Sequence, residues 1–140
     1  MNEVLQDELK KILNSRFSQS ESTRANYARG EDTYDPVLSE AVVFPETNEE
    51  VSKILKLCNE HKIPVVPFGT GTSLEGNVVG NENGITISLE KMNKVLSVNA
   101  EDFDCRVQAC VTKEQLNEYL REDGVFFPID PGANAAIGGM

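Results

Sequence analysis

The densest concentration of groups suited to chemistry is Pro67-Phe68-Gly69-Thr70-Gly71-Thr72-Ser73-Leu74-Glu75-Gly76. Gly69, Gly71 and Gly76 permit positive φ, and a missing Cβ lets backbone N–H groups converge on an anion. Thr70, Thr72 and Ser73 add hydroxyl donors. Many short donors, little bulk and no lysine suit a pyrophosphate. Two familiar phosphate motifs do not fit. The dinucleotide fingerprint G-x-G-x-x-G needs glycine at 74, where Leu74 stands, and a P-loop opening at Gly71 would need lysine where Asn77 stands. On these residues alone, a phosphate cradle and a tight glycine-rich surface turn are about equally supported.

A second run, Asp130-Pro-Gly-Ala-Asn-Ala-Ala-Ile-Gly-Gly139, has the same character. Each run follows a strand–helix–strand pattern, and two such runs favour a shared ligand over either alone. Other candidates are weaker. His61 is the only histidine and falls at the end of an expected helix, where a cation suits the helix dipole. Cys105 and Cys110 are an odd number of residues apart, so on one strand they would face opposite ways, which disfavours a metal pair. Cys58 falls on an apolar helix stripe and reads as core. Glu31, Asp32 and Asp35 read as a solvated acidic loop. With one histidine, no Ser/His/Asp or Cys/His set can be assembled: the residues offer a binding surface and no acid, base or nucleophile.

The elements that would position these runs are legible in part. Val4, Leu5, Leu9, Ile12 and Leu13 share one helical stripe over residues 3–14. Residues 15–39 are polar and predict a long irregular connection that must lie over something to be ordered. Ala41–Phe44 reads as a strand closed by Pro45. Thr47 and Glu50 form a capping box opening a helix with Val51, Ile54, Leu55 and Cys58 at helical spacing, ending near Lys62. Val65-Val66 is a second strand, and this strand–helix–strand unit favours parallel pairing. Residues 69–84 read as loop, Ile85–Leu89 as strand, and Val95–Asn99 with Phe103–Ala109 as a β pair turning at 100–102. Alternation in the last strand predicts Phe103, Cys105, Val107 and Ala109 buried. Thr112 and Gln115 cap a further helix with Leu116 and Leu120 inward, closing at Gly124.

The 140 residues carry 13 Lys+Arg against 23 Asp+Glu, a net charge of −10, which argues against a nucleic-acid partner. No apolar stretch approaches the ~20 residues needed to span a bilayer. The N-terminal residues show no export or organelle address, and three cysteines without CxxC spacing suit free thiols in a cytoplasmic setting. The chain stops inside a small-residue run, which suggests a piece of a longer protein.

In combination, Val42-Val43-Phe44-Pro45, Thr47-Asn-Glu-Glu-Val51, Pro64–Gly76, Met92-Asn93-Lys94, Glu101-Asp102-Phe103, Val111–Asn117, Phe127–Ala133 and Ile137-Gly-Gly-Met140 resemble the FAD-linked oxidases of the vanillyl-alcohol oxidase / p-cresol methylhydroxylase (PCMH) type. The nearest branch contains D-lactate dehydrogenase (cytochrome) and the glycolate oxidase flavoprotein subunit. The resemblance covers about Tyr27 to Met140.

It implies an α/β (α+β) fold with small mixed sheets and flanking helices. Residues 1–35 would form a helix and arm, and residues 36–140 a PCMH-type FAD-binding domain truncated at its C-terminal end. Pro67, Phe68, Gly69, Thr70, Gly71, Thr72, Ser73 and Gly76 would wrap the FAD pyrophosphate, with Pro131, Gly132, Ala133, Ile137, Gly138 and Gly139 beside the flavin and its ribityl chain. Thr72 stands where covalent relatives can carry histidine, implying noncovalent FAD, and Cys110 stands where glycine is usual.

The implied reaction is oxidation of a small D-2-hydroxy acid, with electrons passed to a quinone, cytochrome or carrier protein. The family's catalytic His and Arg have no counterpart in these residues, so no catalytic residue carries over and the chain alone is expected to be inactive. A peripheral membrane contact would belong to other parts of the protein. The alternatives are an alkyl-dihydroxyacetone-phosphate synthase-like flavoenzyme, or a non-catalytic module that self-associates, for example as a homodimer, without flavin.

Overall fold

The computed structural model describes all 140 residues. Helix α1 (Glu3–Leu13) opens on Asn2, whose side-chain oxygen accepts from the Leu5 N–H at 2.9 Å, with Glu3 in its first turn and Lys10 and Lys11 in its last, matching the helix dipole. The apolar stripe places Leu5, Leu9 and Leu13 fully out of solvent. They pack into a core with Ala41, Val43, Ile54, Cys58, Ile85 and Ile87.

That core lies on a four-stranded sheet. Its strands are β1 (Phe17–Ser18), β2 (Ala41–Val43), β3 (Val65–Phe68) and β4 (Ile85–Ser88), in the order β1-β2-β4-β3. β1 is antiparallel to β2, whereas β2 and β3 both run parallel to β4, with Ala41 and Val65 registered on Ile85. The expected pairing of the first two apolar strands is therefore corrected: β4 is inserted between them. Every residue of β2 and β4 is buried, as befits central strands covered on both faces. Helix α3 (Asn48–Glu60) makes the crossover from β2 to β3. Thr47 Oγ1 accepts from the Glu50 N–H at 3.1 Å, and the Glu50 carboxylate accepts from the Glu46 N–H at 2.8 Å.

The polar connection is also more ordered than expected. It contributes β1 and a short helix α2 (Glu21–Asn26). Local propensity could not show this, because β1 exists through its pairing of Phe17 with Val43.

A second lobe holds β5 (Val95–Asn99) and β6 (Asp104–Val107), antiparallel with a bulge between Val95 and Ser97, and helix α4 (Lys113–Leu120). Val111, Leu116 and Leu120 form its small core, with Val95, Val98, Val107, Phe127 and Ile137 against it. Thr112 caps α4 through the Gln115 N–H at 3.2 Å, and Gly124 ends the following turn in the left-handed conformation at φ 70°. The expected burial alternation fails here. Phe103 is 85% exposed at φ 55° in the turn, and Cys105 is exposed. Cys110 is buried and holds an ordinary φ, its N–H donating to Met92 O at 2.8 Å. No helix is long and apolar enough to cross a membrane.

Candidate functional site

The first glycine-rich run leaves the C-terminal end of β3, a place where parallel sheets present ligands to backbone donors. Phe68, the last residue of that strand, has its carbonyl held by the Leu89 N–H at 2.9 Å. The chain then turns over the Phe68 ring. Gly71 sits at φ +75°, and a Cβ there would lie 2.8 Å from the ring, so conformation and space both require glycine. Thr70 and Thr72 stand side by side, hydroxyl to hydroxyl at 3.2 Å. No N–H from Gly69 to Val78 donates to a protein acceptor. Such a run of uncommitted donors needs water or a ligand.

The second run approaches from the other lobe. Gly138 donates its N–H to Ala109 O at 2.8 Å, and a Cβ on it would stand 2.9 Å from Ala109 Cβ, so only glycine passes there. Ala136 contacts the first run directly: a Cβ on Gly69 would lie 3.3 Å from its methyl. The two runs thereby enclose one cleft of about 560 Å³, close to the ordinary size of a cofactor site.

Of the residues singled out from the sequence, Pro67, Phe68, Gly69, Thr70, Gly71, Thr72 and Ser73 line this cleft from one side, and Pro131, Gly132, Ala133, Gly138 and Gly139 from the other. Gly76 and Ile137 do not line it. Gly76 lies against the Tyr34 ring, and Ile137 packs on the Val111–Leu120 core. Sequence reasoning missed Glu31, Asn77, Val78, Leu89 and Ala109, which also line it. The Thr-Gly-Thr-Ser pattern hinted at Asn77 by proximity alone. Nothing local pointed to Glu31, which is brought in by the arm. His61 lies elsewhere, with Nδ1 at 3.4 Å from Asn2 Nδ2 and Nε2 at 3.8 Å from Glu8 Oε2.

The cleft contains no lysine, arginine, histidine or cysteine, and Glu31 is its only ionisable wall residue. A dianion here would be held by backbone dipoles and hydroxyls instead of cations. Gly132 and Gly139 leave open space where a side chain would project, with nothing within 4 Å of a built Cβ. These features fit FAD: uncommitted N–H groups for the pyrophosphate, and bare glycine wall for a large planar ring system.

Residues 39–140 match the family model described as an FAD binding domain. The chain is 44% identical over 119 residues to the probable mitochondrial D-lactate dehydrogenase of Danio rerio, an alignment covering 85% of this chain and 24% of that protein. Among solved structures it resembles an alkyldihydroxyacetonephosphate synthase at a TM-score of 0.89 and 21% identity, over 99% of this chain and 28% of the other. It also resembles p-cresol methylhydroxylase at a TM-score of 0.74 and 22% identity, over 89% and 26%. The last two likenesses establish a PCMH-type fold. The chain spans about a quarter of the length of the curated relative, 24%. The family match takes in both glycine-rich runs, the three parallel strands and the whole second lobe, and on that footing the chain belongs to the FAD binding domain family.

Proposed function

We propose that this chain is the N-terminal FAD-binding part of a flavin-dependent D-2-hydroxyacid dehydrogenase of the D-lactate or glycolate type. The observation that carries the reading is the convergence of two glycine-rich runs on one cleft whose first wall holds a run of uncommitted N–H donors. The 44% identity to a D-lactate dehydrogenase supports the substrate class. The alkyl-dihydroxyacetone-phosphate synthase-like alternative rests on a 21% identical structure, which speaks for fold alone. A bound flavin would be held by the donors of residues 69–78 and by the glycine wall of the second run, and it would supply the two-electron oxidation of a 2-hydroxy acid to a 2-oxo acid, with a quinone, cytochrome or carrier as the implied electron acceptor.

The part of this chain is to bind and orient. Thr72 and its neighbours offer donors to the pyrophosphate, and no histidine or cysteine lines the cleft to bond the flavin, which supports noncovalent attachment. Free thiols support a cytoplasmic location, although the zebrafish relative is named as mitochondrial.

The test is titration of FAD into the purified chain, followed by flavin fluorescence and near-UV circular dichroism. Saturable binding that Gly71→Val weakens at least tenfold is expected. Equal affinity in the two chains would remove the cradle reading. A second reading, self-association without flavin, is favoured by exposed Leu96, Phe103, Phe126 and Ile129. A colourless dimer in sedimentation would select it.

A further inference from the structure

Residues Tyr27–Val37 lie outside the region matched by the family model, yet they touch the first glycine-rich run repeatedly along its length. The Tyr27 ring meets Phe68 edge-on, with centroids 5.0 Å apart, and its hydroxyl donates to Glu90 Oε2 at 2.5 Å. Burial and that neighbouring carboxylate push the Tyr27 phenol up to about 12, so it stays a neutral donor. Ala28 O accepts the Gly80 N–H at 3.0 Å. Gly30 is pressed onto the run: a Cβ there would stand 2.7 Å from Gly71 O and 2.8 Å from Val78 Cγ2. The Glu31 N–H donates to Gly71 O at 2.9 Å. Tyr34 closes the far end, its ring 2.7 Å from where a Gly76 Cβ would be. Asp32, itself buried, holds the arm in shape by accepting the Gly30 and Tyr34 N–H groups at 3.0 Å each.

A trans peptide directs its C=O and N–H oppositely, so fixing the Gly71 carbonyl on the arm aims the Thr72 N–H away from it. We propose that residues 27–34 are a positioning clamp, which sets the geometry of the pyrophosphate loop before a ligand arrives, with Gly30 and Tyr27 as its positioning residues. The proposal rests on the FAD reading of the cleft. A preset loop spares the ligand the ordering of a glycine-rich segment, so the clamp is expressed as affinity. Because it acts on the pyrophosphate end, it affects FAD and ADP alike.

The experiment titrates FAD and ADP separately into wild-type, Gly30→Ala and Tyr27→Phe chains and measures amide hydrogen exchange without ligand. Gly30→Ala is expected to weaken both ligands by about tenfold or more and to speed exchange at Glu31 and Val79, whose N–H groups are bonded to Gly71 and Gly76 carbonyls. Exchange at Val43 and Ile87 should stay unchanged. Tyr27→Phe, which keeps the ring and removes only the hydroxyl, is expected to weaken both ligands about threefold or more, and Glu90→Gln, which keeps an acceptor, much less. Wild-type affinities with unaltered Glu31 exchange in Gly30→Ala would overturn the clamp while leaving the FAD reading intact. If wild type binds neither ligand, the FAD reading fails for this chain and the clamp, which rests on it, is overturned with it. If Gly30→Ala does not fold, Tyr27→Phe decides it, and unaltered affinity would overturn it.

Discussion

Gly69 and Ala136 are the point where the two glycine-rich runs meet: a methyl built on Gly69 would lie 3.3 Å from the Ala136 Cβ. The runs come from different lobes, the first following β3 of the four-stranded sheet and the second lying beside α4, through the bridge of Ala136 to Thr112. This contact therefore fixes the width of the cleft.

Enlarging Gly69 tests that role. Alanine there meets its neighbour at a distance a few tenths of an ångström of movement can absorb, whereas valine must part the runs. Gly69→Val is expected to lower FAD affinity about tenfold or more, equivalent to about 1.4 kcal/mol, while Gly69→Ala combined with Ala136→Gly stays near wild type. Flavin fluorescence titration of the three chains checks this. An unaffected valine variant would show that the junction does not set the cleft.

Helix α1 carries a stability prediction. Leu9 is fully buried among strands and helix α3, so Leu9→Ala leaves a cavity as well as lost apolar contact. Deletions of this kind cost about 2–5 kcal/mol. The urea midpoint should fall accordingly with its slope unchanged. A loss below about 0.5 kcal/mol, the range of ordinary surface substitutions, would mean that α1 contributes little to the core.

What the sequence discloses about this fold is mostly local. The caps at Thr47 and Thr112 are readable because each needs only a hydroxyl three residues before an N–H. The glycine-rich runs are readable because Gly71 must adopt φ +75° wherever it lies. The arm is opaque for the opposite reason: β1 depends on Val43, the Tyr27 hydroxyl on Glu90, and the seat of Gly30 on Gly71 and Val78. Phe103 misleads because alternation assumes a covered face, and in this chain the ribbon of β5 and β6 leaves that residue in solvent. The insertion of β4 between β2 and β3 likewise has no signature in either strand.

The pair Arg16–Glu50 predicts the acid limb of stability. Arg16 donates to both Glu50 oxygens at 2.6 Å and to Phe44 O at 3.2 Å, tying the end of α1 to the start of α3. The guanidinium holds the Glu50 carboxyl at about 2, well below the ordinary 4.5. Because the folded value is the lower one, the unfolded chain takes up the proton first as pH falls. The stabilisation is complete above about 4.5 and drains away toward about 2. Arg16→Met should therefore be less stable than wild type at neutral pH, by about 1–3 kcal/mol for the loss of charged hydrogen bonds to a carboxylate left with only backbone donors. The gap should narrow as pH falls through that window. Urea midpoints across it provide the check, and a gap independent of pH would assign the effect to packing alone.

The three cysteines give a reading of both lobes at once. Cys58 is 1% exposed in the main core, and burial pushes its thiol up to about 11. Cys110 is buried beside Met92, and its thiol is raised by burial first and by the charge of Glu90 second. Both are kept as protonated, inaccessible thiols at neutral pH. Cys105 alone is exposed, on β6. A thiol reagent at neutral pH should therefore modify Cys105 quickly and the other two only on unfolding, and Cys105→Ser should abolish the fast phase. Of the slow sites, Cys110 sits at the smaller lobe and Cys58 in the larger core, so an intermediate phase at Cys110 would reveal the second lobe opening before the sheet. A single slow phase would mean that the two lobes unfold together.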